Sequence, residues 1–250
     1  MADQLPHAER PVPPRVIRRR RQNVFLVLSG LFLGSLAMLN IVGVARFLDL
    51  SFTIPLVEWR VPMVVAVGVL PYPITFLCTD FICELYGRRR ANALVAVGFL
   101  VNLWVAFILW IGGILPGSPS PEFMLIRKLT LTTVIASMVA YAVAQLVDVH
   151  LFHFWKRLTK GRHLWLRNNG STLISQLVDT TAIILIIYPI GALPMVEDEP
   201  VVRQLLVFIA SGYVFKLVAA LVDTGPFYLG VHYLRRYLAL PGTSEIDDDS

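Results

Sequence analysis

Charge is scarce in this chain. Asp, Glu, Lys and Arg make up 16% of its 250 residues against 56% that are hydrophobic, and the mean hydropathy is +0.67. Soluble domains carry about 25% charged residues, so this composition excludes one, and 250 residues leave no room for a separate soluble catalytic domain beside a membrane bundle. Cysteine is scarce as well. Cys78 and Cys83 lie in the same apolar run, which excludes a disulfide framework and leaves them as packing thiols. Catalytic signatures are missing: there is no G-x-x-x-x-G-K-[ST] phosphate loop, no G-x-S-x-G and no H-E-x-x-H. ATP hydrolysis would therefore need a separate energising subunit, and nothing in the sequence asks for a cofactor or a metal.

What the chain has in abundance is long apolar runs. At about 20 residues per crossing, six spans are expected near 24–45, 62–85, 91–112, 129–154, 171–192 and 203–229. The predicted fold class is all-α, a polytopic membrane protein. Its predicted organisation is a basic tail over 1–23, a six-helix domain over 24–232 and a second tail over 233–250. The run Val24 to Ala45 is too long for a signal h-region and ends in no small-x-small cleavage site, so it reads as a retained span. Pro71 and Pro73 should kink or break the second span, which a membrane tolerates only where neighbours or cavity water satisfy the freed carbonyls. The segment 47–60 is too short to cross and is expected at the interface.

The net charge of +5 comes from arginines clustered beside apolar runs, the pattern of membrane topology and not of nucleic-acid binding. Of 22 basic residues, 16 fall on one side: Arg10, Arg15, Arg18 to Arg21, Arg88 to Arg90, Lys156, Arg157, Lys160, Arg162, Arg167, Arg235 and Arg236. Arg46, Arg60, Arg127, Lys128 and Arg203 fall on the other, and Lys216 lies within the sixth span. This bias predicts both termini in the cytoplasm of a multi-pass inner-membrane protein.

Twelve of the 17 acids lie in tails or loops. The rest are inside spans: Asp80 and Glu84 in the second, Asp148 in the fourth, Asp179 in the fifth and Asp223 in the sixth. Ionised and unpaired, five such carboxylates would cost roughly 12–17 kcal/mol, as much as the whole stability of a typical fold, about 5–15 kcal/mol. Lys216 can neutralise one; the others must be protonated, hydrogen-bonded or set around a polar cavity. Asp80 and Glu84 are four apart and share a helix face. AQLVDVH (144–150) and SQLVDTT (175–181) place Gln145 and Gln176 one turn before Asp148 and Asp179. Lys216 and Asp223, seven apart, also share a face. Asn40 and Asn102 read as interhelical glue. In the loop after the fourth span, Trp165 fits an interfacial anchor, and Ser171 or Thr172 a helix N-cap.

Three segments, PITFLCTDFICELYGRRRA (73–91), AQLVDVHLFHFWKRLTKGRHLWLRNNGSTLISQLVDT (144–180) and SGYVFKLVAALVDTGPFYL (211–229), together resemble the queuosine-precursor transporter family, also classed as vitamin uptake transporters. The third departs from the family's Asp-Thr-Pro, having Asp223-Thr224-Gly225-Pro226, which leaves the helix end there open. The resemblance implies a six-helix importer, similar in fold to the substrate-binding subunits of energy-coupling-factor transporters. It would bring 7-deazaguanine bases into the cytoplasm for queuosine synthesis in tRNA, and would not be an enzyme.

The buried acids suit such a ligand. A guanine-like edge offers a ring N–H and an exocyclic amine beside a carbonyl; a carboxylate accepts from both donors, and a Gln amide or a Lys serves the carbonyl. Asp80, Glu84, Gln145, Asp148, Gln176, Asp179, Lys216 and Asp223 are thus the expected lining of one central cavity. The deepest, Asp179 and Gln176, would read the base, with Lys216 holding a neighbouring carboxylate ionised. Phe76, Tyr86, Tyr141 and Tyr188 are the stacking candidates. Carboxylates in a pore also suit another vitamin-like substrate or a cation, but His150 and His153 are not spaced as the i, i+4 zinc pair of a helix face. Paired acids suit an intramembrane enzyme, for which no activated nucleophile can be placed. The orientation has a direct test: a reporter active only in the cytoplasm should be active when fused to either terminus, and inactive when inserted near residue 117.

Overall fold

The computed structural model describes residues 13–55, 58–159 and 164–240. Six α-helices run α1 Pro14–Val42, α2 Tyr72–Tyr86, α3 Arg88–Gly112, α4 Pro121–Leu158, α5 Leu164–Ile187 and α6 Val201–Tyr237. Each makes up most of a segment long and apolar enough to cross a membrane, six such segments among the described residues. The expectation of an all-α, six-span membrane protein is borne out. α1 begins within the stretch expected as a tail, and α6 passes through Pro226 without ending.

The helices close a ring. α1 packs on α2, α2 on α6, α6 on α5, α5 on α4, and α4 back on α1, while α3 sits outside against α1, α2 and α4. Polar side chains fix α3 there: Asn40 Nδ2 donates to Asn102 Oδ1 at 3.1 Å, and Ser137 Oγ donates to Asn40 Oδ1 at 3.1 Å, joining α1, α3 and α4. These two asparagines are the interhelical glue expected of them. The apolar core is split in two. One cluster, around Leu28, Phe32, Cys78, Phe81, Ile82 and Leu238, fills the end where the termini lie. The other, around Val44, Ala136, Ile184, Ile187 and Phe208, fills the opposite end. The titratable side chains within the spans, Asp80, Asp148, Asp179, Lys216 and Asp223, lie between them and toward the first. Both cysteines are free thiols.

The second span differs from its expected form. A helix over 62–85 is not what forms: α2 begins at Tyr72, with Pro71 as its N-cap and Pro73 in its first turn. Proline lacks an N–H that a first turn leaves unbonded anyway, so here the prolines start a helix and do not kink one. α2 is about 22 Å long, short of the roughly 30 Å hydrocarbon core. A 3-10 turn over Val67–Val69 leads into it, and together they make a segment, Val67–Tyr86, long enough to cross; the chain before Val67 is extended. Four short strands, β1 Phe47–Asp49, β2 Phe52–Ile54, β3 Trp59–Val61 and β4 Val64–Ala66, pair β1 with β4 and β2 with β3 in one register, Phe47 opposite Ala66 and Phe52 opposite Val61. The expected interfacial segment 47–60 is thus one arm and the tip of a β-hairpin whose base is buried.

Non-helical backbone at membrane depth must have its polar groups satisfied. Val64 N donates to Ser211 Oγ of α6 at 3.0 Å, Val67 N to Arg46 O at 2.8 Å and Gly68 N to Gly43 O at 3.0 Å. Val65 is buried, and Phe47 meets Phe208 edge-on. At Gly68 a Cβ would sit 2.6 Å from Gly43 Cα and 2.7 Å from Leu39 O, so the hairpin base lies directly on the α1 backbone.

At the other end α1, α2 and α6 are clasped together. Arg21 donates to Leu238 O and Ala239 O, each at 3.2 Å, and Arg20 to Tyr237 O at 3.2 Å with its guanidinium over the Tyr237 ring. Tyr86 Oη donates to Arg21 O at 2.8 Å. The start of the first helix and the end of the last therefore lie on the same side. The fifth helix starts at Leu164, so Ser171 and Thr172 lie inside it and neither is its N-cap. Residues 160–163 and the side chain of Trp165 lie outside the described residues.

Gly68→Ala should cost about 1–3 kcal/mol, because the obstructing atoms are backbone and cannot rotate away. A lowered unfolding temperature in detergent would report it. Gly34→Ala, where a Cβ meets nothing within 4 Å, should be neutral or mildly stabilising.

Candidate functional site

The centre of the ring holds an ion pair. One face of α6 carries Gln204, Phe208, Ser211, Gly212, Lys216 and Ala219 into the bundle, with the spacing of a buried helical stripe. Lys216 is 6% exposed, and its Nζ lies 2.7 Å from Asp179 Oδ2 on α5, the Asp179 side chain being 21% exposed. Gly212, one turn before Lys216, lets α5 and α6 approach: a Cβ there would sit 3.1 Å from Thr180 Cγ2. The Tyr72 ring of α2 faces the same ammonium, 5.1 Å from Nζ to the ring centroid, within cation–π range. Phe76, one turn further along α2, lies 4.4 Å from Tyr72 between ring centroids.

A lysine at bilayer depth costs about 2.5–3.5 kcal/mol when alone, which pairing offsets. Lys216 engages Oδ2, and Asp179 Oδ1 accepts no hydrogen bond from any described residue. A half-buried carboxylate thus has one oxygen held by a cation and one open to a donor.

Three further acids, Asp148, Asp80 and Asp223, lie on the side of this pair where α1 begins and α6 ends. Asp148 on α4 reaches α5 through Ser175, whose Oγ is 3.2 Å from Asp148 Oδ1 and one turn before Asp179. Asp80 on α2 and Asp223 on α6 lie close enough to act on each other electrostatically. Seven residues of helix separate Asp223 from Lys216, about 10 Å along α6. Gln176 is half-buried on α5, its backbone carbonyl accepting from Thr180 Oγ1.

The eight expected residues do not form one cluster. Glu84 is ion-paired to Arg235 of α6 and belongs to the clasp at the end of the bundle. Gln145 is exposed on α4. Of the aromatic candidates, Phe76 alone touches a neighbour of the ion pair, through Tyr72. Tyr86 is engaged with Arg21 and packs edge-on to Phe25, Tyr141 is exposed on α4, and Tyr188 opens the 3-10 turn after α5. Tyr72 and Ser175 are the contacts that sequence reasoning missed. Tyr72 had a signal, since 72, 76 and 80 follow one helical stripe into Asp80. His150 Nδ1 is 2.7 Å from Leu146 O of its own helix, and among the described residues no three His, Cys, Asp or Glu side chains are grouped to hold a metal.

The family model described as "Putative vitamin uptake transporter" matches residues 66–230, a stretch that contains all eight candidates and Tyr72. "Probable queuosine precursor transporter" of Bacillus subtilis (strain 168) is 33% identical over 135 residues, covering 49% of this chain and 57% of that protein. "Queuosine precursor transporter" of Escherichia coli (strain K12) is 27% identical over 165 residues, covering 64% of this chain and 70% of that protein. The match thus spans less than two thirds of the Bacillus protein's length. No solved structure matches.

Lys216→Ala should strand Asp179 as an unpaired buried charge and cost about 3–5 kcal/mol. Thermal unfolding in detergent measures this, and adding Asp179→Asn should recover part of the loss; an unchanged unfolding temperature in the single variant would show that the pair contributes nothing.

Proposed function

The chain belongs to the vitamin uptake transporter family, and from that membership we propose that it imports queuosine precursors of the 7-deazaguanine type. It is a multi-pass membrane transporter and not an enzyme. We place it in the bacterial inner membrane with both termini cytoplasmic, which the arginine bias supports. The clasp then lies at the cytoplasmic mouth and the hairpin on the outer side.

The observation that carries the reading is the half-used carboxylate of Asp179, set beside a charged donor deep in the span. Oδ1 accepts from the ring N–H or exocyclic amine of a guanine-like edge. Lys216, with three N–H bonds and one committed to Asp179, donates to the adjacent carbonyl. Gln176, one turn from Asp179, serves either side of the edge. Adenine reverses donor and acceptor at these positions, so it would leave buried polar groups unpaired; a site built on hydrogen bonds rejects such a ligand strongly. Asp80 and Asp223 continue the polar track along the parallel pair α2 and α6 toward the clasp. Protonatable acids on that track are compatible with proton coupling, and trapping by later metabolism would serve without it.

In cells unable to make queuosine, the wild-type chain should accumulate labelled deazaguanine base, and excess adenine should not compete. Asp179→Asn, at matched membrane abundance, should lower uptake at least tenfold. Near-wild-type uptake by that variant would remove Asp179 from the site. A fall in uptake on adding a proton uncoupler would identify proton coupling.

A further inference from the structure

We infer that Tyr72 forms the aromatic wall of the site and sets its preference for flat, fused-ring ligands over single rings bearing the same edge. The inference rests on the reading of Asp179 and Lys216 given above. Hydrogen bonds from Asp179 and Lys216 read the rim of a ligand, in the plane of its ring. Nothing in that pair measures how large the ring is. A face-on contact does, and the side chain that offers one is Tyr72, whose ring lies 5.1 Å from Lys216 Nζ and within electrostatic reach of Asp179.

The placement is rigid. Tyr72 is the first residue of α2, set between Pro71 and Pro73, whose ring closures fix the backbone on either side. Its carbonyl accepts from Thr75 Oγ1 at 2.7 Å, closing the first turn. Phe76 extends the aromatic surface, its ring tilted 48° to that of Tyr72 and 40% exposed, so one flank is not covered by protein. On this inference the two adjoining rings, next to a donor–acceptor pair, make a slot with one wall and one rim. Base–aromatic stacking is tolerant of chemistry and sensitive to area, which is the discrimination the rim lacks.

The test compares two competitors of labelled-base uptake: a 7-deazaguanine, and 2-amino-4-hydroxypyrimidine, which carries the same hydrogen-bonding edge on a single ring. In the wild type the two-ring compound should half-inhibit at a concentration at least tenfold lower. Tyr72→Phe should keep that ratio. Tyr72→Leu should bring it close to one, by weakening the two-ring compound selectively. A ratio unchanged in Tyr72→Leu, or equal weakening of both competitors, would overturn the inference, the second result reducing Tyr72 to a support for Lys216. Should Tyr72→Leu fail to reach the membrane, Phe76→Leu decides, since it removes the exposed half of the slot: a narrowed ratio supports the inference and an unchanged one overturns it. If neither competitor inhibits the wild type, the substrate reading itself fails, a result distinct from failure of the aromatic wall.

Discussion

The bundle depends on one charge neutralisation. Lys216 and Asp179 sit where neither could remain alone, and their meeting fixes the distance and rotation of α5 against α6. Gly212 is the steric condition for it, because a larger residue would press on Thr180 and part the helices. Tyr72 adds a third helix to the same point, so α2, α5 and α6 are registered against one another at a single depth. A pair of this kind is weak as a stabiliser, since desolvation consumes most of the Coulombic gain. Its value is in specifying an arrangement, and in leaving a carboxylate oxygen uncommitted.

The remaining architecture keeps that point isolated. Apolar clusters close both ends of the ring, and the in-span acids and Lys216 occupy the level between them. The two closures differ in kind. The hairpin end is held by backbone donors, one serine hydroxyl and glycine-to-backbone contact. The terminal end is held by arginines, a glutamate and carbonyls at the edge of the bilayer.

Much of this was legible in the sequence, and the failures share a cause. The six spans follow from apolar runs, and Lys216 and Asp179 announce themselves as isolated charges at mid-span. The hairpin base did not, because three-residue strands inside an apolar run have no period distinct from a buried helix. Pro71 and Pro73 signalled an interruption, but whether proline breaks a helix or begins one depends on which side the helix lies. Glu84 looked like a cavity residue because its partner, Arg235, is 151 residues away and leaves no local trace. Gln145 shares its motif with Gln176, yet repetition of four letters carries no information about rotation around the helix.

The clasp between Arg20, Arg21 and residues 237–239 joins segments separated by 217 residues or more. A chain emerging from the ribosome in order places α1 in the bilayer first and completes this junction last. Until α6 arrives, the arginines of α1 are solvated at the headgroups, where waiting is inexpensive. Asp179 has no such refuge: it enters lipid some 37 residues ahead of its cation. Membrane insertion therefore includes an interval, between entry of the fifth helix and arrival of the sixth, in which Asp179 is without its cation.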